Sequence, residues 1–366
     1  MRSLQKIYSN NCSTAHCASS LRYRPILVRG LIIGMFLSCC IEYVGCKNTA
    51  NDSPQPSRDA SSDTTLKPDM DSTFVQDAEL DSDYDLGDTT RLNRVARQDG
   101  SELLWFSTVP SEPSSYPIML FLDGSGCKSV SRLTMTTSIT VAAGFGVAMH
   151  EKRGVDVGDD GKSCSDEFLE TNDREQRISD ADIVISELSN AFTNWDGRLV
   201  IIGASRGVAI VPELALEHSN ETMAIVLMAE GGLDTATWLR IWTEKSGRDL
   251  EVLERYLAEI EANPDSTQTW LGGDNTWKMW ASYLHYRPLD FLVQLEIPIY
   301  LVHGGNDIDS PVETAEAVVA EFDRLGKSNL VYRYWPTLDH SWKDPEGNSH
   351  NLEVAAEIVA WLQDLK

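Results

Sequence analysis

The sequence predicts an α/β fold, a doubly wound and mostly parallel sheet with a helical lid insertion. Three observations carry that prediction. Short apolar runs recur at 118–122, 145–149, 199–202, 223–228 and 297–302, the one at 199–202 rich in β-branched residues, the composition of a strand buried on both faces. Segments with helical apolar spacing alternate with them, at 177–188, 314–325 and 352–365. Finally, Gly203-Ala204-Ser205-Arg206-Gly207 joins one such strand directly to an apolar, helix-like segment from Val208. Alternating strands and helices imply a parallel sheet covered on both faces.

The elements follow in order. Residues 1–29 carry five bases and no acid, and 30–41 form a short apolar core. That core is too short to span a bilayer comfortably, and the order basic, apolar, small is that of an export signal. Tyr43-Val44-Gly45-Cys46 resembles a bacterial lipobox with Tyr43 where Leu is usual, which makes Cys46 the lipidation candidate; Phe36-Leu37-Ser38-Cys39 is a rival site. The signal therefore covers 1–46. From 47 to about 91 the chain is rich in Ser, Asp, Thr and Pro, with eleven acids against three bases between Lys47 and Thr90. Such a segment cannot build a core and its charges keep it extended, so it reads as a tether.

The folded domain is expected from about Leu92 to Lys366. Strand candidates are 102–109, 118–122, 145–149, the run before Ser205, 223–228, 297–302 and 330–334. One block, 233–295, breaks the alternation: it reads as helical and holds five of the ten tryptophans, Trp238, Trp242, Trp270, Trp277 and Trp280. An insertion there makes a lid over the C-terminal edge of the sheet. Its tryptophans are either the lid's own packing core or the wall of a substrate pocket lined by Trp238 and Trp242.

The formal net charge of −25 argues against nucleic acid and against docking on anionic lipid. Five of seven cysteines precede residue 47, leaving Cys127 and Cys164 in the domain. In an oxidising compartment that pair is a disulfide candidate; in a reducing one it is two buried thiols. Both lie in loops expected at the same edge of the sheet, so export predicts a Cys127–Cys164 bond.

Strand, G-x-S-x-G and helix together form the context of a nucleophile elbow, in which Ser205 sits at strained backbone angles. A serine hydroxyl needs a base, and the base a carboxylate that orients it. Asp307 follows a buried strand in a tight loop, His303-Gly304-Gly305-Asn306-Asp307; Asp309 and Glu230 are its rivals. For the base, His340 lies between the last strand and the last helix, where a loop can reach back over the serine. His16 lies in the signal, His218 at a helix end, His285 in the lid and His350 too near the final helix, whereas His150 and His303 end strands.

The order Ser205, Asp307, His340 is that of a hydrolase elbow protein. With these three motifs, residues 92–366 resemble the α/β-hydrolase superfamily, and the runs through Tyr286-Arg287-Pro288-Leu289-Asp290 and Ile297-Pro298 are similar to its peptidase-like and dienelactone-hydrolase-like members. The resemblance implies that Asp123-Gly124-Ser125-Gly126 is the oxyanion loop, with Asp123 where His is common. It implies as oxyanion donors the amide of Arg206 and that of Ser125, with Gly126 as alternative. The implied chemistry is acyl transfer from a small-molecule acyl substrate to water, with no metal or organic cofactor. Ester hydrolysis is the first expectation. A serine aminopeptidase in which Glu230 grips an ammonium, and a non-catalytic binding module, are the alternatives. The expected location is the cell envelope through a lipid anchor only, or secretion.

Overall fold

A computed structural model describes residues 90–110, 114–270 and 274–366 of the chain. The export signal, Cys46 and nearly all of the acidic segment fall outside the described residues. Among these no helix is long and apolar enough to cross a membrane.

Eight strands form one sheet: β1 (Thr90–Ala96), β2 (Glu102–Thr108), β3 (Tyr116–Leu122), β4 (Gly146–His150), β5 (Trp195–Ala204), β6 (Thr222–Met228), β7 (Ile299–Gly304) and β8 (Leu330–Trp335). Their order is β1-β2-β4-β3-β5-β6-β7-β8. The β1–β2 and β2–β4 pairs are antiparallel, and every later neighbour is parallel. β5, which carries the elbow, therefore lies in the interior of the sheet between β3 and β6.

Position in the sheet accounts for the apolar runs. Alternate residues of a strand face opposite sides. Leu199 and Ile201 of β5 join a core with Ala181, Val184 and Leu188 of α3 (Arg174–Ala191) and Leu214 of α4 (Val211–Glu217). Val200 and Ile202 face the other way, into a core with Val354, Ile358 and Leu362 of α10 (Asn351–Asp364). A strand covered on both faces has no solvent side, so the polar alternation of a half-exposed strand is absent. Burying each such aliphatic side chain stabilises the fold by about 1.5–3 kcal/mol.

The remaining helices are α1 (Thr134–Ala142), α2 (Asp166–Thr171), α5 (Thr235–Lys245), α6 (Leu250–Ala262), α7 (Trp277–Tyr283), α8 (Pro288–Leu292) and α9 (Glu313–Leu325). The four from α5 to α8 occupy the 233–295 block between β6 and β7. Two differences from expectation are informative. β1 begins at Thr90 and is not among the predicted strands; Arg91, Leu92, Arg94 and Ala96 are exposed and none of its residues is buried, which suits a sheet edge. The segment after Ser205 is first a 3₁₀ turn, Ser205–Ile210, and becomes α-helical at Val211, where Pro212 occupies the first turn.

Candidate active site

The elbow is built by close approach. A Cβ on Gly207 would lie 2.2 Å from the carbonyl oxygen of Leu122, and one on Gly203 would lie 2.6 Å from a methyl of Val211. Only glycine fits where the turn passes between β3 and the following helix. The cost falls on Ser205, which takes φ of 50°, a left-handed conformation unfavourable for a residue with a side chain. Its Oγ stands at the C-terminal edge of the sheet, the usual site of a ligand in a doubly wound fold.

Two loops converge on that hydroxyl. His340 Nε2 lies 3.0 Å from Ser205 Oγ, and His340 Nδ1 lies 2.7 Å from Asp307 Oδ2. The other carboxylate oxygen, Asp307 Oδ1, accepts the backbone N–H groups of Asp309 at 2.9 Å and Ser310 at 2.7 Å. The Asp307 side chain has no solvent exposure, and that of His340 keeps 16%. The loops are stitched together: Gly305 N–H donates to Trp335 O and Asn306 N–H to Leu338 O. The Asn306 side chain donates to Thr337 O at 2.9 Å. The carboxylate of Asp339 folds the turn after His340 by accepting the N–H groups of Ser341 and Lys343.

The electrostatics favour a charged imidazole. Burial pushes the His340 pKa down, but the charge and hydrogen bond of Asp307, with the charges of Asp309 and Glu230, outweigh it and raise the value to about 9. Of the two rivals for the acid, Asp309 is pushed upward chiefly by burial, and its backbone rather than its carboxylate is engaged with Asp307. Atoms of Asp307, Asp309 and His340 lie within 4.8 Å of one another, close enough to share a metal ion. Both ring nitrogens of His340 and both oxygens of Asp307 already have partners, so this donor set does not fit an ion.

Residues 123–126 run beside Ser205: a Cβ on Gly124 would lie 3.1 Å from Ser205 Cβ. Asp123 carries the anchor of this loop. Lys152 Nζ donates both to Asp123 Oδ2 and, at 2.6 Å, to the carbonyl of Gly126. Arg177 Nη2 donates to the Asp123 carbonyl. Lys152 thus ties the two ends of the stretch that contains Ser125. One residue further on, Cys127 is bonded to Cys164, with Cα atoms 5.5 Å apart. Sequence reasoning missed Lys152 and Arg177 because isolated charges read as solvated surface.

On the other side of Ser205, Ala229 takes φ of 57° and turns the chain after β6. Glu230 follows, nearly buried, with a carboxylate oxygen 3.6 Å from Arg206 Nη1. The Arg206 guanidinium donates to Thr235 Oγ1 at 2.9 Å and sits 5.3–5.4 Å from the ring centres of Trp238, Trp280 and Tyr283. Trp238 stacks on both Trp242 and Trp280. Trp238 therefore packs against Arg206, while Trp242 stands behind it under Arg248. Tyr283 and Thr235 were not singled out from sequence, and Trp280 was named only as one of the five lid tryptophans; nothing there signals that helices α5 and α7 meet over Arg206.

No protein-family model and no curated protein matches the chain. Solved structures share its fold. A 2,6-dihydroxy-pseudo-oxynicotine hydrolase is 17% identical with a TM-score of 0.51, covering 75% of this chain and 68% of that one. An acylaminoacyl peptidase from Pyrococcus horikoshii is 17% identical with a TM-score of 0.53, over 75% of this chain but only 41% of the peptidase. A thermostable carboxyl esterase from Bacillus coagulans is 14% identical with a TM-score of 0.52, over 76% of this chain and 99% of the esterase. At these identities the likeness shows the α/β-hydrolase fold.

Proposed function

We propose that the chain is a serine hydrolase that cleaves a carboxylic ester, or a related acyl bond, through an acyl-enzyme. The observation that carries this reading is the His340 ring bridging Ser205 Oγ and Asp307 at 3.0 and 2.7 Å. His340 Nε2 takes the hydroxyl proton as Ser205 Oγ attacks the substrate carbonyl, and the carbonyl electron pair moves onto oxygen. The amides of Arg206 and Ser125, with Gly126 as the alternative to Ser125, stabilise that oxyanion, each worth about 3 kcal/mol. The imidazolium then protonates the leaving group as its bond to carbon breaks. In the second half, His340 deprotonates a water that attacks the acyl-enzyme, and Ser205 leaves with its proton restored. Asp307 holds the imidazole tautomer and stabilises the imidazolium.

A fluorophosphonate probe tests this. Stoichiometric labelling that Ser205→Ala abolishes is the expected result; an unlabelled wild-type protein refutes it and leaves a binding module on the hydrolase fold. A second reading, a serine aminopeptidase, is favoured by Glu230, whose buried carboxylate accepts no hydrogen bond from the described residues and has the charge to hold an ammonium. Turnover of aminoacyl amides above acyl esters decides for it.

The same proposal includes export. Residues 1–46 act as a lipoprotein signal processed at Cys46, with Cys39 as the rival, and the acidic tether holds the domain at 92–366 off the envelope surface; simple secretion is the alternative. The Cys127–Cys164 bond supports an oxidising compartment. The helices of 233–295 act as the lid.

A further inference from the structure

Directly after β4 lies a buried carboxylate that the hydrolytic steps leave unused. Glu151 is 1% exposed, and its backbone N–H donates to Leu104 O of β2 at 2.9 Å, which fixes it to the sheet. Neutral donors hold its side chain. Ser129 Oγ–H donates to Oε1, and Val130 N–H donates to Oε2 at 3.0 Å. A carboxylate withdrawn from water stays ionised only while such donors are kept in place.

Those donors belong to a longer chain. Ser129 Oγ stands 2.7 Å from Ser131 Oγ, and Ser131 Oγ accepts the N–H of Gly158 at 3.2 Å. An ionised carboxylate can only accept. The single hydroxyl proton of Ser129 therefore goes to Glu151, and that of Ser131 goes to Ser129. Every bond points one way, from Gly158 through two serines to Glu151. Protonation turns the chain around. Oε2 faces an N–H, so the proton sits on Oε1 and is donated to Ser129 Oγ. Ser129 must then donate to Ser131, whose own proton loses its acceptor in the chain.

What the chain grips is the segment that follows the proposed oxyanion loop. Ser129 is the N-cap of the 3₁₀ turn Val130–Arg132 and lies three residues after Gly126. Its N–H donates to Asp159 O at 3.0 Å, Arg132 Nη2 donates to Gly158 O at 2.8 Å, and Cys127 is bonded to Cys164. Residues 127–132 are thus tied to 158–164, and Glu151 is where that tie meets the sheet. The next residue, Lys152, holds the loop itself.

Resting on the serine-hydrolase reading, we infer that Glu151 is a positioning residue for the oxyanion loop: ionised, it sets residues 129–131 so that the loop presents its amide, and protonated, it reverses the serine chain, loosens that end of the loop and slows acyl transfer. Burial pushes its pKa up to about 7, against the lowering effect of the Ser129 and Val130 donors. Of the charges that face it, Asp123 on the loop opposes ionisation and Lys152 favours it. Behind them, Arg177 of α3 acts on Lys152 and His150, and Asp180 of α3 acts on His150. Burial pushes the His150 pKa down, so that ring is neutral where Glu151 titrates.

The pH dependence of 4-nitrophenyl acetate hydrolysis tests the role. Two groups must lose a proton before turnover, Glu151 near 7 and His340 near 9. The logarithm of kcat/KM is therefore expected to rise with a slope of about 2 below the first value and about 1 between them. Glu151→Gln puts an NH₂ donor where the protonated acid stood. It should lower kcat/KM by about tenfold or more at the plateau and leave a single slope of about 1. Ser129→Ala keeps the carboxylate but removes a donor that favours its ionised form, so the lower step should move to higher pH. It also carries the test should Glu151→Gln not fold, and melts across the same pH range show that the rates belong to folded protein. A wild-type slope of about 1 throughout, a lower step that survives Glu151→Gln, or a step that Ser129→Ala leaves in place would overturn the inference. Fluorophosphonate labelling of the wild type at the plateau separates the two readings. Labelled enzyme without the lower step refutes the role of Glu151 alone, and unlabelled protein refutes the hydrolase reading beneath it.

Discussion

Lys152→Met isolates what holds the proposed oxyanion loop. Methionine keeps the length of the stem and removes the ammonium, so Asp123 Oδ2 and the Gly126 carbonyl each lose a donor. The Lys152 side chain is 3% exposed and that of Asp123 16%, so water replaces little of what is lost. Breaking a buried ion pair from one side costs about 3–5 kcal/mol. Arg177 Nη2 remains 3.5 Å from Asp123 Oδ1, which puts the cost near the lower end, about 3 kcal/mol, or a fall in Tm of about 6–12 °C for a domain this large. The catalytic effect is separate. With the Gly126 carbonyl freed, the peptide carrying the Ser125 amide can rotate, and losing one oxyanion donor lowers kcat by about 10²–10³ with little change in KM. Thermal melts and 4-nitrophenyl ester kinetics read the two effects. Adding Asp123→Asn to Lys152→Met removes the uncompensated charge and should return more than about 1 kcal/mol of stability, yet leave kcat low, because the Gly126 carbonyl still lacks its donor. A normal kcat in a Lys152→Met protein with lowered Tm would refute the positioning argument; an unchanged Tm would refute the energetic one.

Other outcomes follow from the same geometry. The raised pKa of His340 means its base form gathers only as pH approaches about 9, so kcat/KM should climb through neutral pH to a limb there. Asp307→Asn should move that limb to lower pH and cut kcat by about 10⁴. The sign for stability is opposite: a raised histidine stabilises fully below its ordinary value near 6.5 and loses that contribution as pH rises through about 9, a slope Asp307→Asn should flatten. Cys127→Ser with Cys164→Ser opens a cross-link 37 residues apart in sequence, and chemical denaturation should show a loss of about 3–4 kcal/mol; two alkylatable thiols in the native exported protein would contradict the bond. Cys46→Ser should move the protein from the membrane fraction to the soluble one, and retention would point to Cys39 or an uncleaved segment.

What was legible in the sequence followed local rules. β5 and the elbow could be read because a strand covered on both faces needs an unbroken apolar run, 199–202, and the tight turn needs Gly203 and Gly207. Asp307 and His340 could be read because each lies in the loop that follows a strand, three residues after β7 and five after β8. β1 could not, since an edge strand with the pattern Thr90–Ala96 buries almost nothing and leaves no period to detect. α1 escaped for another reason: Thr134–Ala142 is crowded with threonines, weak helix formers held here by tertiary context. The charged supports were hidden most deeply. Lys152, Arg177 and the pairing of Arg206 with Glu230 are defined by which distant charge each meets, and a single sequence holds no local trace of such meetings. Asp123, noted only as a departure from a histidine, acquires its reason from Lys152 and Arg177.

The left-handed backbone at Ser205 has a consequence for how such a protein can age. Glycine reaches φ of 50° without the penalty that a side chain incurs there, a difference of the order of 1 kcal/mol. Ser205→Gly would therefore delete the proposed nucleophile and relieve its backbone in one step, and Ala229→Gly, at φ of 57° on the turn before Glu230, would relieve the backbone there. Stability screens applied to this domain without an activity readout would enrich those changes first. A descendant relieved of chemistry would be under the same pull, and would end as a sturdier, silent copy of the fold.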